Sequence, residues 1–415
     1  MSEQTADAVL LQLFDELFAE FSEIGRANDT GLHRLAFSAA DAEVRAAFRA
    51  RCAALGLHAH TDEIGNQFAL ARPPVPGDRT VLLGSHLDSQ PDGGRFDGQL
   101  GVAAALAVVA EAAHTEVPQG TNLGAVNWAN EEGARFQPSV MGSSVFTGQL
   151  SLVEALAASD AEHTLLSDEV VSRALAGTSA LPATVAAYAE LHVEQGARLE
   201  RDGAELGIVD RTWAAHKADV RVHGVQTHTG PTPMALRVDA LAAAARLIAL
   251  LRELGLADPD DRLHTAAAWM RITPNSPNAT PSLVEFKVEL RSPEEERLHA
   301  ARAALVTAAQ EIERGTGVQC DFGAWSERRA ASFDPDLVAL ATATAISMGI
   351  RAQRMPTIAG HDAVIMNAAG VPTVLLFTPS AEGITHHAAE YTEPADQHRG
   401  VRALAAVARA LLARV

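Results

Sequence analysis

The stretch 84–102, GSHLDSQPDGGRFDGQLGV, places an imidazole at His86 and carboxylates at Asp88 and Asp97 close together in the chain. Further along lie the acidic pair Glu131–Glu132 and the histidines His192 and His386. Together they supply the imidazole and carboxylate ligands that a pair of divalent cations needs. The two cysteines, Cys52 and Cys320, stand far apart in unrelated contexts, so nitrogen and oxygen rather than thiolate would hold the ions. The chemistry this inventory points to is metal-assisted hydrolysis.

A ligating histidine needs its ring oriented by an acceptor, and Asp88 is the candidate beside His86. Asp97, after Gly93–Gly94 and before Gly98, can cap the following helix with one oxygen and still face the strand ends. Its two oxygens also allow it to bridge two cations. Glu131 and Glu132 point in different directions on an extended chain, so one could ligate while the other acts as a general base. Taken singly, each residue is ordinary: an acidic pair suits a solvated face, and Asp97 suits a cap. Most of the 16 histidines, among them His58, His60, His163 and His299, are bystanders, with His361 and His387 intermediate. What singles out the set is its placement at expected strand ends.

Those strand ends come from an alternating helix–strand rhythm. Residues 40–55 have helical apolar spacing, 80–85 form a short apolar run, 102–114 read as a packed helix and 122–128 as a strand. Such a rhythm predicts an α/β sheet, in which ligands collect beyond the carboxyl ends of the strands. The pattern changes after residue 208. Alternating strands at 218–225 and 283–291 and helices at 238–254 and 294–316 predict a smaller α+β layer. Buried-strand patterning returns at 371–377. The expected architecture is an α/β domain from residues 1–210 and 326–415, with an α+β domain inserted at 211–325.

With 415 residues, 47% hydrophobic and 20% charged, the chain is that of a soluble two-domain protein. No apolar run approaches the roughly 18 residues of a membrane span. The acidic N-terminus is unlike a signal peptide, and cysteine usage fits a reducing compartment, so a cytoplasmic location is expected. A net charge of −19 excludes a nucleic-acid partner. No HExxH helix, GxSxG elbow or P-loop occurs, and Ser143–Ser144 lacks the flanking glycines of a nucleophile elbow.

The motifs GSHLDSQPDGGRFDGQLGV, NWANEEGARFQPSVMGSSVFTG, LHVEQGARLE, HTGPTPMALRVDAL and GHDA…GITHHAAE resemble those of zinc-dependent amidohydrolases. The family comprises N-carbamoyl-L-amino acid hydrolases, β-ureidopropionases and allantoate amidohydrolases, and is related to di-zinc exopeptidases. The resemblance runs in order from about residue 35 to residue 400. It implies a di-zinc exopeptidase-like catalytic domain with an inserted lid that also carries a homodimer contact. It implies one metal on His86 and His192, another on Glu132 and His386, and Asp97 between them. Glu131 would be the base and Asp88 the residue orienting His86. The metals implied are zinc, manganese, cobalt or nickel.

The same resemblance implies that His228 stabilises the oxyanion of the partner subunit, that Gln195 contacts the carbamoyl group, and that Asn278 and Arg291 bind the substrate carboxylate. Closure of the lid would then hinge near residues 210 and 326. Read without the family, Arg291 would form a salt bridge within the inserted domain and His228 would be a turn residue beside Gly230. The chain departs from the family pattern at Thr357–Ile358–Ala359, Ser282 and His216–Lys217, which puts the side-chain pocket in question rather than the metal centre. The expected activity is hydrolysis of a small N-carbamoyl amino acid. Allantoate or N-acyl and dipeptide substrates, and an inactive binding homologue, are the alternatives. A plain aminopeptidase is disfavoured by Gln195, Asn278 and Arg291 together.

Overall fold

The computed structural model describes residues 3–114 and 117–415, which form two units. The first comprises residues up to Asp210, Phe333–Met355 and Ala359–Val415; the second comprises Arg211–Ser332 with Pro356–Ile358. Among the described residues, no helix is long and apolar enough to cross a membrane.

An eight-stranded sheet organises the first unit. Its order is Ala352–Thr357, Leu206–Thr212, Thr373–Thr378, Thr184–Val193, Arg79–His86, Thr121–Trp128, Gln67–Leu70 and His58–Thr61. Arg79–His86 runs parallel to both Thr121–Trp128 and Thr184–Val193, and the latter runs parallel to Thr373–Thr378. These central strands are buried nearly throughout, which is why they read as continuous apolar runs. Helices Gln99–Ala113 and Pro394–Leu412 pack on each other and on the central strands, with Glu3–Glu23 against both. Phe14, Phe21, Phe48, Phe68 and Trp128 are fully enclosed, each worth about 1.5–3 kcal/mol of burial.

Local chemistry sets the helix boundaries. Ser38 caps Ala39–Ala54 by accepting from the Asp41 N–H, and Val44, Phe48 and Cys52 then recur on the buried face. Gln99–Ala113 is rich in alanine and buried along most of its length, which lets it sit directly on the strands. Gly101 shows how close: a Cβ there would lie 2.3 Å from the Leu191 carbonyl oxygen. Gly98, at φ 67°, starts the helix, and a Cβ there would reach the His86 ring at 2.4 Å.

In the second unit all the pairings are antiparallel. The order is His264–Thr273, Leu283–Ser292, Ala214–His223, Gln319–Phe322, with Ser326–Arg328 also on Ala214–His223. Val284, Phe286, Val288 and Leu290 alternate inward, forming a core with Leu247 and Leu251 of helix Ala240–Leu256 and Leu298 and Leu305 of Glu295–Thr316. The boundary expected at residue 326 falls inside this unit. At residue 326, where the resemblance implies a hinge, Ser326–Arg328 is a strand with Glu327 opposite His216.

Both cysteines are poor nucleophiles. Burial pushes the Cys52 thiol up to about 12 and Cys320 up to about 11. At pH 8 the Cys320 thiolate fraction is then roughly one in a thousand, against about a quarter for an ordinary thiol. Iodoacetamide followed by mass spectrometry should modify Cys320 more than tenfold more slowly than a free thiol. Cys52 should react only in denaturant. Rapid modification of either in native protein would contradict the packing described.

Candidate metal centre

The parallel strands deliver their C-terminal ends to one place. His86 ends Arg79–His86, His192 lies one residue before the end of Thr184–Val193, and Glu131–Glu132 follow Thr121–Trp128. Asp97 arrives from the loop before Gln99–Ala113. His386 comes from the segment after the turn Ala381–Gly383, in a left-handed conformation with φ 51°. Four of these residues are largely withdrawn from solvent, Glu132 is half-buried and His386 is exposed.

Asp97 is the pivot. Its Oδ1 lies 3.1 Å from His192 Nε2 and 3.4 Å from His86 Nε2. Its Oδ2 lies 3.3 Å from His386 Nε2, which is 3.5 Å from Glu132 Oε2. Two ligand groups result, His86–Asp97–His192 and Asp97–Glu132–His386, each with its donor atoms within 4.8 Å of one another. Glu131 stands beside the first, its Oε2 3.5 Å from His86 Nε2. Asp97 does not cap its helix through its side chain, as its position suggested: Gln99 N–H bonds the Asp97 carbonyl at 2.7 Å. The three histidines and Gln195, donating to Oδ2 at 2.8 Å, take up the carboxylate instead.

The rings are oriented by main-chain carbonyls. His86 Nδ1 lies 2.9 Å from the Asp88 carbonyl oxygen, and His192 Nδ1 2.9 Å from that of Val193. With Nδ1–H donating, each Nε2 presents its lone pair toward the carboxylates. His86 Nε2 is buried and has no hydrogen-bond partner. A bare lone pair facing carboxylate oxygens needs a cation or a proton between them, so the donor set fits divalent ions of the zinc, manganese, cobalt or nickel kind. The Asp88 carboxylate acts elsewhere than its proximity to His86 suggested. It lies 3.6 Å from His86 Nδ1 and accepts the Glu131 and Glu132 N–H groups at 3.1 and 3.2 Å. It therefore fixes the acidic pair.

The electrostatics are those of a cation site. Burial drives Glu131 well above the usual carboxylate range, assisted by Asp362, Glu132 and Asp88. Burial and Asp97 lift Glu132 to about 7. Burial would lower His386, but Asp97 and Glu132 overcome it and raise the ring to about 9. Burial opposes ionisation of Asp97 too, yet the surrounding histidines hold it well below its ordinary value. Protons and cations compete for the same Nε2 atoms.

The remaining expected residues divide by unit. Gln195 joins the centre through Asp97, and its Oε1 is buried without a partner. His228, Asn278 and Arg291 belong to the second unit. His228 and Asn278 are neighbours there: His228 bridges Ala279, and Thr229 N–H bonds the Asn278 carbonyl. His228 Nδ1 accepts from Gly230 N–H at 3.0 Å, as a turn histidine would. Arg291 grips Glu289 at 2.7–2.8 Å and donates to the Ile358 carbonyl at 2.5 Å. Its guanidinium thus makes the internal salt bridge that the bare sequence favours.

Sequence reasoning also missed buried carboxylates near the centre, among them Glu190 and Glu390. Glu190 accepts from Ser85 Oγ at 2.8 Å and from Ala363 N–H at 2.8 Å, on the same strand as His192. Glu390, four residues past His386, is buried against Gly94. The motif GHDA…GITHHAAE contains Glu390, but nothing in its spacing marks that residue as buried.

The profile of Peptidase family M20/M25/M40 matches residues 82–410. An N-carbamoyl-L-amino-acid amidohydrolase of Rhizobium meliloti is 34% identical over 91% of this chain and 91% of its own length. An allantoate amidohydrolase of Bacillus subtilis is 30% identical over 92% of this chain and 93% of its own. A crystal structure of an amidase of the hydantoinase/carbamoylase family from Burkholderia vietnamiensis superposes with a TM-score of 0.89 at 32% identity, covering 97% of both chains. Likeness on this scale takes in every loop that carries a ligand candidate, and the chain belongs to peptidase family M20/M25/M40.

Proposed function

We propose that the chain is a metal-dependent amidohydrolase that cleaves the C–N bond of an N-carbamoyl amino acid. The products are the amino acid and a carbamate that breaks down to carbon dioxide and ammonia. The observation that carries this reading is Asp97, with one oxygen toward each of two nitrogen–oxygen ligand groups and Glu131 alongside.

His86, Asp97 and His192 would hold one ion, and Asp97, Glu132 and His386 the other. Ions bound there polarise a substrate carbonyl and make water more acidic. Glu131 takes the proton of the attacking water and passes it to the leaving nitrogen, a task suited to a carboxylate whose affinity for protons is raised by burial. Asp88 keeps the main chain of Glu131 and Glu132 in place during this transfer. Gln195, with a free acceptor at Oε1, takes the carbamoyl group. His228 serves the oxyanion across a homodimer contact of the inserted domain, which acts as a lid. Asn278 and Arg291 take the substrate carboxylate, Arg291 by exchanging Glu289 for the substrate. NEEGARF and GSSVF favour a carbamoyl amino acid over allantoate, and the similarity to the Rhizobium meliloti enzyme agrees.

The test is ammonia release from ureido, formyl, acetyl, dipeptide and allantoate substrates after chelation and reloading with zinc, manganese, cobalt or nickel. An N-carbamoyl-L-amino acid should be turned over. Chelation should remove at least about 99% of the activity, since metal assistance is worth several kcal/mol. Reloading should restore it. Hydrolysis unaffected by chelation, or no ammonia from any ureido substrate under any metal, would sink the proposal.

A further inference from the structure

The family profile begins at residue 82, yet residues well before it are tied to both ligand-bearing segments. Thr30 Oγ1 donates to the Ala388 carbonyl at 2.6 Å, two residues past His386. Leu32 N–H bonds the Gly93 carbonyl at 2.9 Å, in the loop that leads to Asp97. Arg34 N–H donates to Ser89 Oγ, and Ser89 N–H donates to the Arg34 carbonyl, both at 2.9 Å. Residues 30–34 therefore lie as a strap along the segments that present His86, Asp97 and His386.

The Arg34 side chain goes deeper. Its guanidinium is fully buried. Nε donates to the Leu87 carbonyl at 2.5 Å, between His86 and Asp88. Nη1 donates to the Phe21 and Ile24 carbonyls at 2.8 Å, at the end of helix Glu3–Glu23. Nη2 donates to Gln99 Oε1 at 2.7 Å, two residues past Asp97, and Gln99 in turn donates to Ser22 Oγ at 2.8 Å. Burying a guanidinium on carbonyl acceptors costs solvation that an apolar side chain would not. What it provides in return is geometry, because a planar fork fixes the directions of its partners.

We propose that Arg34 is a positioning residue for the metal centre. It holds the main chain at Leu87 and the helix start behind Asp97 at a set separation, so that the ligands are in place before ions arrive. The assignment rests on the two-ion reading above, and the experiment separates the two.

The full-length chain, stripped by chelation, is titrated with zinc ion against a chromophoric competitor, and its melting temperature is measured without metal. Wild type should take up two ions. Arg34→Met should bind zinc about 10–100-fold more weakly, the range for losing support of a ligating group. Leu411→Ala, a buried position on helix Pro394–Leu412, should lower the melting temperature and leave zinc affinity at the wild-type value. If Arg34→Met does not fold, Arg34→Lys keeps the charge without the fork and should bind at least about fivefold more weakly. Wild-type affinity in either folded Arg34 variant would overturn the assignment. A wild type that takes up no zinc would overturn the two-ion reading and this assignment with it.

Discussion

Glu131→Gln is expected to lower kcat by about 10³-fold while two ions per chain stay bound and KM changes little. A positioned general base contributes about 10²–10⁴-fold, and an amide cannot accept the proton. Glu131 lies 3.5 Å from His86 Nε2 and its N–H is pinned by Asp88 Oδ1, so the substitution keeps size and main-chain placement. Steady-state kinetics and elemental analysis of the variant check it. Activity within tenfold of wild type would move the base elsewhere. Full loss of one ion would make Glu131 a ligand and exchange its role with Glu132.

The second large effect is expected at Asp97. Asp97→Asn replaces one of two oxygens with an N–H₂ group, and the surroundings dictate its orientation. Gln195 Nε2 already donates to Oδ2, so the amide nitrogen turns toward His86 and His192, whose Nε2 lone pairs can accept it. The first ligand group then loses its carboxylate, and the second keeps a neutral oxygen. Activity should fall by more than about 1,000-fold, several kcal/mol of lost metal assistance. The stripped variant should melt below stripped wild type, because the histidines that hold the Asp97 carboxylate ionised lose the charge that favours them. Only wild type should then gain stability on adding metal, by about 2.7 kcal/mol at 100 times Kd. A variant that binds two ions as wild type does would remove Asp97 from its central place.

The parts of the fold legible from sequence were those with a clean period. Arg79–His86 and Thr121–Trp128 are buried apolar runs, and Leu283–Ser292 alternates strictly, so the sequence places each to within one residue. Thr184–Val193 was not read as a strand, although it carries His192. Glu190 and His192 are polar, and a polar residue in an apolar run hides a strand unless its buried partners are known. Ser326–Arg328 is too short to have a period at all.

His86 and Glu131–Glu132 are legible as reactive residue types at the ends of legible strands, whereas Asp97, His192 and His386 stand out by residue type and by the family motifs around them. How they are held is not legible. The expected orienting group for His86 was the Asp88 carboxylate, and the observed one is the Asp88 carbonyl, which every residue type possesses. Arg34 was invisible for the same reason, since three of its acceptors are main-chain oxygens supplied by Leu87, Phe21 and Ile24. Residue types show what can react; they do not show which peptide groups face inward.

The seating of helix Gln99–Ala113 has a consequence for how this enzyme can diverge. At Gly98 and Gly101 even one added carbon would strike the His86 ring or the Leu191 main chain. Larger side chains therefore have no room beneath the His86 ring, whereas exposed Lys217 meets no such wall. The seat of this helix is locked by atoms that no codon change can trim further.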